Sequence, residues 1–366
     1  MRTIQVINVR WFNATAWYGA YLSRLLREAG HETVVLGLEG TESFAKAQEW
    51  GLEPLGFDLN TSNPAKLARL YAQLQRLVKD FKPDVVNCHR GEAFVLWGLM
   101  RQCGAGFKLV RTRGDQRLPK NNLPNRWLHR AVADAVVATN SVMAEHFCHT
   151  LQVPSAKVHT IRGGVDSGRF YFSASGRENI RKEFNYGPEH FVVGLLGRFD
   201  RVKGQKELIF AVSELFHKRG MRHLRLMLAG FETATALAEV EGWIDEAGVR
   251  EITVITGKRS DITDCICAMD LGVIASLWSE TIARAALEIM ACQRPLISTD
   301  VGVMPDLLPQ DALCAKGDVA ALADLIQKNA VDTDWREALR IECGRRIKTL
   351  GGQDFLDATL ALYSSL

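Results

Sequence analysis

Arg198 and Lys203 stand five residues apart in Gly197-Arg198-Phe-Asp-Arg-Val-Lys203-Gly204, between an apolar run and a helical pattern. Two fixed cations among turn-permissive glycines at the start of a helix make an anion site, where Arg grips phosphate oxygens bidentately and Lys adds a point charge. The stretch lacks both G-x-x-x-x-G-K-[ST] and G-x-G-x-x-G, so neither a P-loop nor a dinucleotide fold is indicated. Read alone, it is equally a basic strand–helix turn. A second stretch, Ser276-Leu-Trp-Ser-Glu280-Thr281-Ile282-Ala283-Arg-Ala-Ala-Leu-Glu288, follows another apolar run. Glu280 precedes a helix and Glu288 lies two turns inside it. Eight residues of helix rise about 12 Å. Carboxylates so spaced do not share a proton, but each can accept hydrogen bonds from the hydroxyls of a different sugar ring of one ligand. An anionic link between the rings would meet the helix N-terminus. Alternatively, Glu280 is a helix-start carboxylate and Glu288 an exposed helix residue, although Leu287, Ile289 and Met290 argue against a solvated face.

These stretches fall within a pattern of short Val/Ile/Leu-rich runs alternating with helical periodicity, which predicts parallel sheets covered on both faces. The runs Thr3–Val9, Thr33–Leu36, Asp84–Cys88, Lys108–Arg111, Ala135–Thr139 and Val158–Ile161 are read as strands. Helices are expected over Trp17–Ala29, stopped by Gly30, and Ala65–Phe81, with Ser141 capping another. Arg162 to Gly176 is rich in Gly and Ser and reads as a linker. The alternation resumes at Phe191–Leu196, Leu224–Leu228, Ile252–Ile255, Leu271–Ala275, Pro295–Ser298 and Ala312–Cys314, with helices at Gln205–Lys218, Asp334–Leu350 and Asp354–Leu362. The fold class is therefore α/β, with two doubly wound Rossmann-like domains: 1–165, and 166–352 as the donor domain. A final helix over about 353–366 is expected to return to the first. Ligands of such sheets bind at the carboxyl ends of strands, which places the expected site in a cleft between the two lobes.

The 366 residues carry a net charge of only +3, and 24% of them are charged, as in an ordinary globular protein. The sum hides a split. Residues 1–170 hold 22 Lys and Arg against 14 Asp and Glu, and residues 171–366 hold 23 against 28. Much of the basic excess is in residues 108–130, with seven cations and one acid. There, Arg111, Arg113, Asp115 and Arg117 follow a strand, and His89 follows another in Cys88-His89-Arg90-Gly91-Glu92. These five (His89, Arg111, Arg113, Asp115, Arg117) are the acceptor-side candidates, suited to an anionic glycan, a lipid-linked glycan or the inner surface of a membrane. Solvated surface is the plainer reading. Nucleic acid is not expected, since no binding module is recognisable. The eight cysteines include no C-x-x-C, so buried thiols are expected and no metal site. The N-terminus lacks the apolar core of a signal peptide and no run reaches the roughly 20 residues that span a bilayer, so a cytoplasmic protein is expected, peripheral to the membrane at most.

Together, G-R-x(4)-K-G at Arg198/Lys203 and E-x(7)-E at Glu280/Glu288 resemble the retaining glycosyltransferases of family 4, which have the GT-B fold. Fainter likenesses run through Ile161–Phe170, Ala229-Gly230, Gly257–Ile262 and Thr299–Asp306. The resemblance implies that Arg198 and Lys203 hold the diphosphate of a nucleotide-diphospho-sugar, of UDP or GDP type, with Gly197 in the same turn. It implies that Glu280 binds the transferred sugar, beside Thr281, Ile282 and Ala283, and that Glu288 binds the ribose. It implies that Lys258, Arg259 and Ile262 face the base. No metal and no separate cofactor are expected. The implied activity is retaining transfer to a hydroxyl of a glycan or lipid-linked glycan, in cell-surface polysaccharide or lipopolysaccharide assembly. A nucleotide-sugar epimerase, a phosphorylase or a non-catalytic sugar-phosphate binder are the alternatives. The sequence departs from the family at Thr281-Ile282-Ala283, where Gly-Phe-Gly is frequent, at Asn13–Ala16, which replaces a Gly-Gly loop, and at Gly114, where many members carry His.

Overall fold

The structure is a computed structural model of residues 1–366, in which all residues except Glu92, Ala93 and Gln116 are described. It comprises two compact units, Met1–Gly163 together with Gly352–Leu366, and Gly164–Gly351. The first contains β1 (Arg2–Ile7), β2 (Glu32–Gly37), β3 (Leu55–Gly56), β4 (Val85–Cys88), β5 (Lys108–Arg113), β6 (Ala135–Ala138) and β7 (Val158–Thr160). They form one parallel sheet in the order β3-β2-β1-β4-β5-β6-β7. The second contains β8 (Phe191–Leu196), β9 (Leu224–Ala229), β10 (Thr253–Ile255), β11 (Leu271–Ile274), β12 (Leu296–Thr299) and β13 (Leu313–Cys314), ordered β10-β9-β8-β11-β12-β13 and likewise parallel. In each sheet the order reverses at the first strand, the topological switch that puts loops of β1 and β4, or of β8 and β11, side by side.

The central strands are buried on both faces because helices cover them. Ile4, Val6, Val86 and Leu109 are fully buried with Trp97 and Phe107 in one unit; Val193, Leu226, Val273 and Ile297 are fully buried in the other. Helix Ala14–Glu28 starts where the Asn13 side chain accepts the Ala16 N–H at 3.1 Å, so the residues in place of a Gly-Gly loop form an ordinary N-cap. The C-terminal helix Gly352–Ser365 belongs to the first unit. Its Phe355 ring lies 4.5 Å from that of Tyr18, and its Tyr363 hydroxyl accepts from Asn87 at 2.8 Å and from Gln5 at 3.3 Å. Two polar side chains inside the sheet core, Gln5 and Asn87, are thus satisfied by a residue 276 positions beyond Asn87.

Some local expectations need correction. The cap of helix Ser141–Glu145 is Asn140, whose side chain accepts the Met143 N–H at 2.9 Å; Ser141 is its first helical residue. The linker ends earlier than Gly176, because Ser173 caps a helix over Ala174–Glu183. Helix Glu42–Glu49 and strand β3 were not anticipated; the strand is two exposed residues with no apolar run to announce it.

Candidate active site

In the second unit, the loops after β8 and β11 converge. Asp200 shapes the first: one carboxylate oxygen accepts the Val202 N–H at 3.2 Å and the other holds the Arg198 guanidinium at 2.8 Å. The Gln205 side chain donates to the Arg198 carbonyl at 2.9 Å. Gly204 follows in the left-handed region, at φ +70°, with its α-carbon against the Ala275 carbonyl, where a Cβ would overlap. That contact and the Leu277 N–H, which donates to the Val202 carbonyl at 2.9 Å, lock the two loops together.

The ion pair between Lys203 and Glu280 spans this junction. Lys203 Nζ lies 2.5 Å from Glu280 Oε1, and the Ser276 hydroxyl donates to the same oxygen at 2.5 Å. Glu280 is 5% exposed, so its charge is held by these donors rather than by water. Its backbone is held too: the Glu280 carbonyl accepts the Val303 N–H at 2.7 Å, and Gly302, at φ +63°, lies so close to it that only glycine fits. Thr299 Oγ1 donates to the Ser276 carbonyl at 2.6 Å. Arg198 remains exposed at the edge of the same arrangement.

Helix Arg284–Ala291 begins directly after this loop, and its N-cap, Ala283, supplies no side-chain acceptor for the first-turn N–H groups. Ala283 sits at φ 51°, ψ 48°, the left-handed region that costs a non-glycine residue about 1–2 kcal/mol. The departure from Gly-Phe-Gly therefore changes the side chain while keeping a glycine-type backbone. Ile282 and Ala283 are buried, so they can offer a ligand their backbone more readily than their side chains. Glu288 lies on the same helix, 9% exposed, 3.2 Å from Arg284; burial raises its carboxyl pKa, against the opposing pull of Arg284.

The other donor-side candidates are placed less uniformly. Arg259 is bound by Glu183 at 2.7 Å and Asp261 at 2.7 Å, and those hydrogen bonds raise its pKa. It acts as a brace for the turn. Exposed Lys258 lies over the Phe231 ring at 5.8 Å, and Ile262 starts helix Ile262–Ala268 against the apolar core. Gly197 ends β8.

In the first unit, the acceptor-side residues separate into buried and exposed groups. His89 is fully buried, its Nε2 2.9 Å from Gln5 Oε1, and Nδ1 has no hydrogen-bond partner among the described residues. Burial, then the nearby Arg111 charge, lower its pKa to about 3. Arg111 is 1% exposed and donates to the Cys88 and Thr112 carbonyls at 2.7 and 2.9 Å, over the Phe94 ring. Arg111 is placed as a buried brace: its Nη1 ties the ends of β4 and β5, and its Nη2 lies 3.9 Å from Asp115. Arg113 pairs with Asp115 at 3.0 Å and donates to the Arg117 carbonyl at 2.6 Å, while the Arg117 side chain is exposed. Thr15 Oγ1 donates to the Gly114 carbonyl at 3.1 Å, tying the loops after β1 and β5. Glu92 of the His89 cluster and Gln116 of the basic stretch lie outside the described residues. Ser276, Asp200 and Gly302 were not singled out from sequence as site residues; for Ser276 the visible signal was its place four residues before Glu280.

Residues 190–331 match the family described as Glycosyl transferases group 1, and residues 16–169 match Glycosyltransferase Family 4. The chain belongs to the family 4 glycosyltransferases. Among curated proteins it is 24% identical over 243 residues to a D-inositol 3-phosphate glycosyltransferase of Corynebacterium jeikeium, covering 64% of this chain and 58% of that protein. The chain thus spans less than two thirds of that relative's length. Among solved structures, Anabaena HepE in complex with UDP superimposes with a TM-score of 0.87 at 19% identity, over 100% of both chains. A lipopolysaccharide outer core galactosyltransferase, WaaB, superimposes with a TM-score of 0.75 at 13% identity, again over 100% of both chains. Those likenesses show the GT-B fold.

Two outcomes follow from this geometry. Ala283→Gly relieves the left-handed backbone and raises stability by about 1 kcal/mol, read from urea unfolding; a loss of stability contradicts the strain assignment. His89, at about pKa 3 when folded and near 6.5 when unfolded, makes the unfolded chain bind a proton first as pH falls. Stability therefore drops by about 1.4 kcal/mol per pH unit below pH 6.5, down towards 3, through this residue. His89→Gln flattens that limb in urea titrations between pH 6.5 and 4; an unchanged slope contradicts it.

Proposed function

We propose that this chain transfers a sugar, with retention at the anomeric carbon, from a nucleotide-diphospho-sugar to a hydroxyl of a glycan or lipid-linked glycan. The observation that carries the reading is the Lys203–Glu280 pair. It sets a cation for a leaving diphosphate beside a buried acceptor for sugar hydroxyls, directly before an uncapped helix N-terminus. In this reading, Arg198 and Lys203 stabilise charge on the departing diphosphate, aided by first-turn N–H groups of helix Arg284–Ala291. Glu280 orients the transferred sugar. Glu288, whose raised pKa reflects an unsolvated site, accepts from the ribose hydroxyls. The bond from the anomeric carbon to the phosphate oxygen breaks, and the acceptor oxygen bonds to that carbon from the same face. The acceptor proton passes to the departing phosphate oxygen, so no side-chain base is required.

Several points support this reading. Anabaena HepE has been solved with UDP-glucose, which favours a nucleotide-sugar donor of UDP or GDP type. WaaB is named for lipopolysaccharide outer core synthesis, which favours cell-surface polysaccharide or lipopolysaccharide assembly as the setting. With two cations aimed at the diphosphate, the reaction proceeds without a metal. A peripheral membrane contact on the cytoplasmic face fits the first unit. There Leu123 and Trp127, one helical turn apart, are 80% and 47% exposed beside Arg126 and Arg130. No helix among the described residues is long and apolar enough to cross a membrane.

Incubation with radiolabelled nucleotide-sugars and lipid-linked acceptors, with the product anomer read by NMR, tests the proposal. Transfer with a retained anomer is expected, unaffected by EDTA. Arg198→Ala or Lys203→Ala should lower turnover by about 10²–10³ with the fold intact. Near-wild-type turnover in either variant, or an inverted product, overturns it.

A further inference from the structure

The second unit contains a cationic cavity of about 670 Å³ at the opposite ends of its strands from Lys203 and Glu280. Phe191, Asp270 and Pro295, at or just before the starts of β8, β11 and β12, form part of its wall. Arg198 and the Ser276–Glu280 loop follow the carboxyl ends of β8 and β11. Six residues of strand put the two ends of β8 roughly 20 Å apart.

Five guanidinium groups line it: Arg177, Arg181, Arg294, Arg336 and Arg340. Three carboxylates oppose them, and these are unevenly used. Asp270 is taken by Arg177 at 2.5 Å and Arg181 at 3.1 Å, and it also accepts the Val192 N–H at 2.8 Å. Glu189 lies 3.1 Å from His190, and Glu337, 54% exposed, pairs with Arg340 at 2.5 Å. Arg294 and Arg336 have no carboxylate within ion-pair distance among the described residues. Arg294 is stacked on Phe172 and its nearest acceptor is the Cys292 carbonyl at 3.3 Å; Arg336 donates to the Asn329 carbonyl at 2.6 Å over the Phe191 ring. Burial lowers the pKa of Arg294, with a smaller contribution from the nearby Arg177 charge and an opposing one from Asp270. Five guanidinium groups against three carboxylates leave the lining with an excess of positive charge that suits an anion. Planar guanidinium groups match phosphate oxygens bidentately, and the volume is that of a small-molecule site.

We propose that this cavity binds a phosphate monoester, gripped by Arg294, Arg336 and Arg340, independently of the donor site. The phosphate comes either from a free metabolite or from an anionic lipid headgroup. The full chain carrying Arg198→Ala, which removes the exposed donor-side cation without unpairing Glu280, is titrated by calorimetry with inorganic phosphate and adenosine 5′-monophosphate. Its sedimentation with phosphatidic acid vesicles, whose headgroup is a phosphate monoester, is measured in parallel. Binding of at least one probe is expected, weakened about tenfold or more by Arg340→Glu at a half-buried position, and likewise by Arg294→Gln where that variant folds. Sensitivity of the soluble probes assigns a free phosphate ester, and sensitivity of the vesicles alone assigns a headgroup. No binding by any probe, or binding indifferent to Arg340→Glu, overturns the proposal.

Discussion

A carboxylate shielded from water must be matched by donors, and in the second unit that requirement falls on Glu280. Lys203 and Ser276 both meet one of its oxygens at 2.5 Å. Removing one partner from such a pair leaves an uncompensated charge, which costs about 3–5 kcal/mol. The pair therefore dictates much of its surroundings. The loop after β8 must bring Lys203 to the loop after β11, which the Gly204 contact with Ala275 allows. The loop after β12 must pass close under Glu280, which Gly302 allows. The same closeness positions helix Arg284–Ala291, so its N-terminus and Glu288 are aligned by the interaction that holds the carboxylate.

The first unit solves a different problem with the same logic. Its sheet has Gln5, Asn87, Thr112 and His89 inside, and each needs a partner. Tyr363 of the C-terminal helix serves Gln5 and Asn87, Asn87 in turn accepts from Thr112 at 2.8 Å, and Gln5 accepts from His89. Arg111 braces the loop ends from below. What faces outward after β5 is Arg117 together with the partly exposed Arg113–Asp115 pair. The basic excess of residues 108–130 is thereby divided between a structural guanidinium and an exposed set.

Most strands were legible in the sequence because a parallel strand buried on both faces is written as a short unbroken run of Val, Ile and Leu; β8 was bounded to the residue. The two motifs were legible because each lies within one loop and its helix, so the chemistry is contiguous. What was illegible arises between distant segments. Ser276 and Gly302 matter only through Glu280, and the left-handed backbone of Ala283 is a conformation its residue type argues against. Arg111 looked like an exposed cation because a guanidinium bracing carbonyls has no sequence signature. The arginine cavity draws on segments from residue 177 to residue 340, none basic enough alone to be noticed.

The claim on which the functional account turns is that Arg198, Lys203, Glu280 and Glu288 form a site for a nucleoside diphosphate and its sugar. Thermal unfolding of the wild-type chain across a titration of UDP, GDP and their sugar conjugates tests it most directly. One nucleotide class should stabilise the protein by about 2.7 kcal/mol at 100 times its dissociation constant. That stabilisation should vanish when Lys203 is replaced by Ala. No response to any nucleoside diphosphate, or a response that survives Lys203→Ala undiminished, would contradict it.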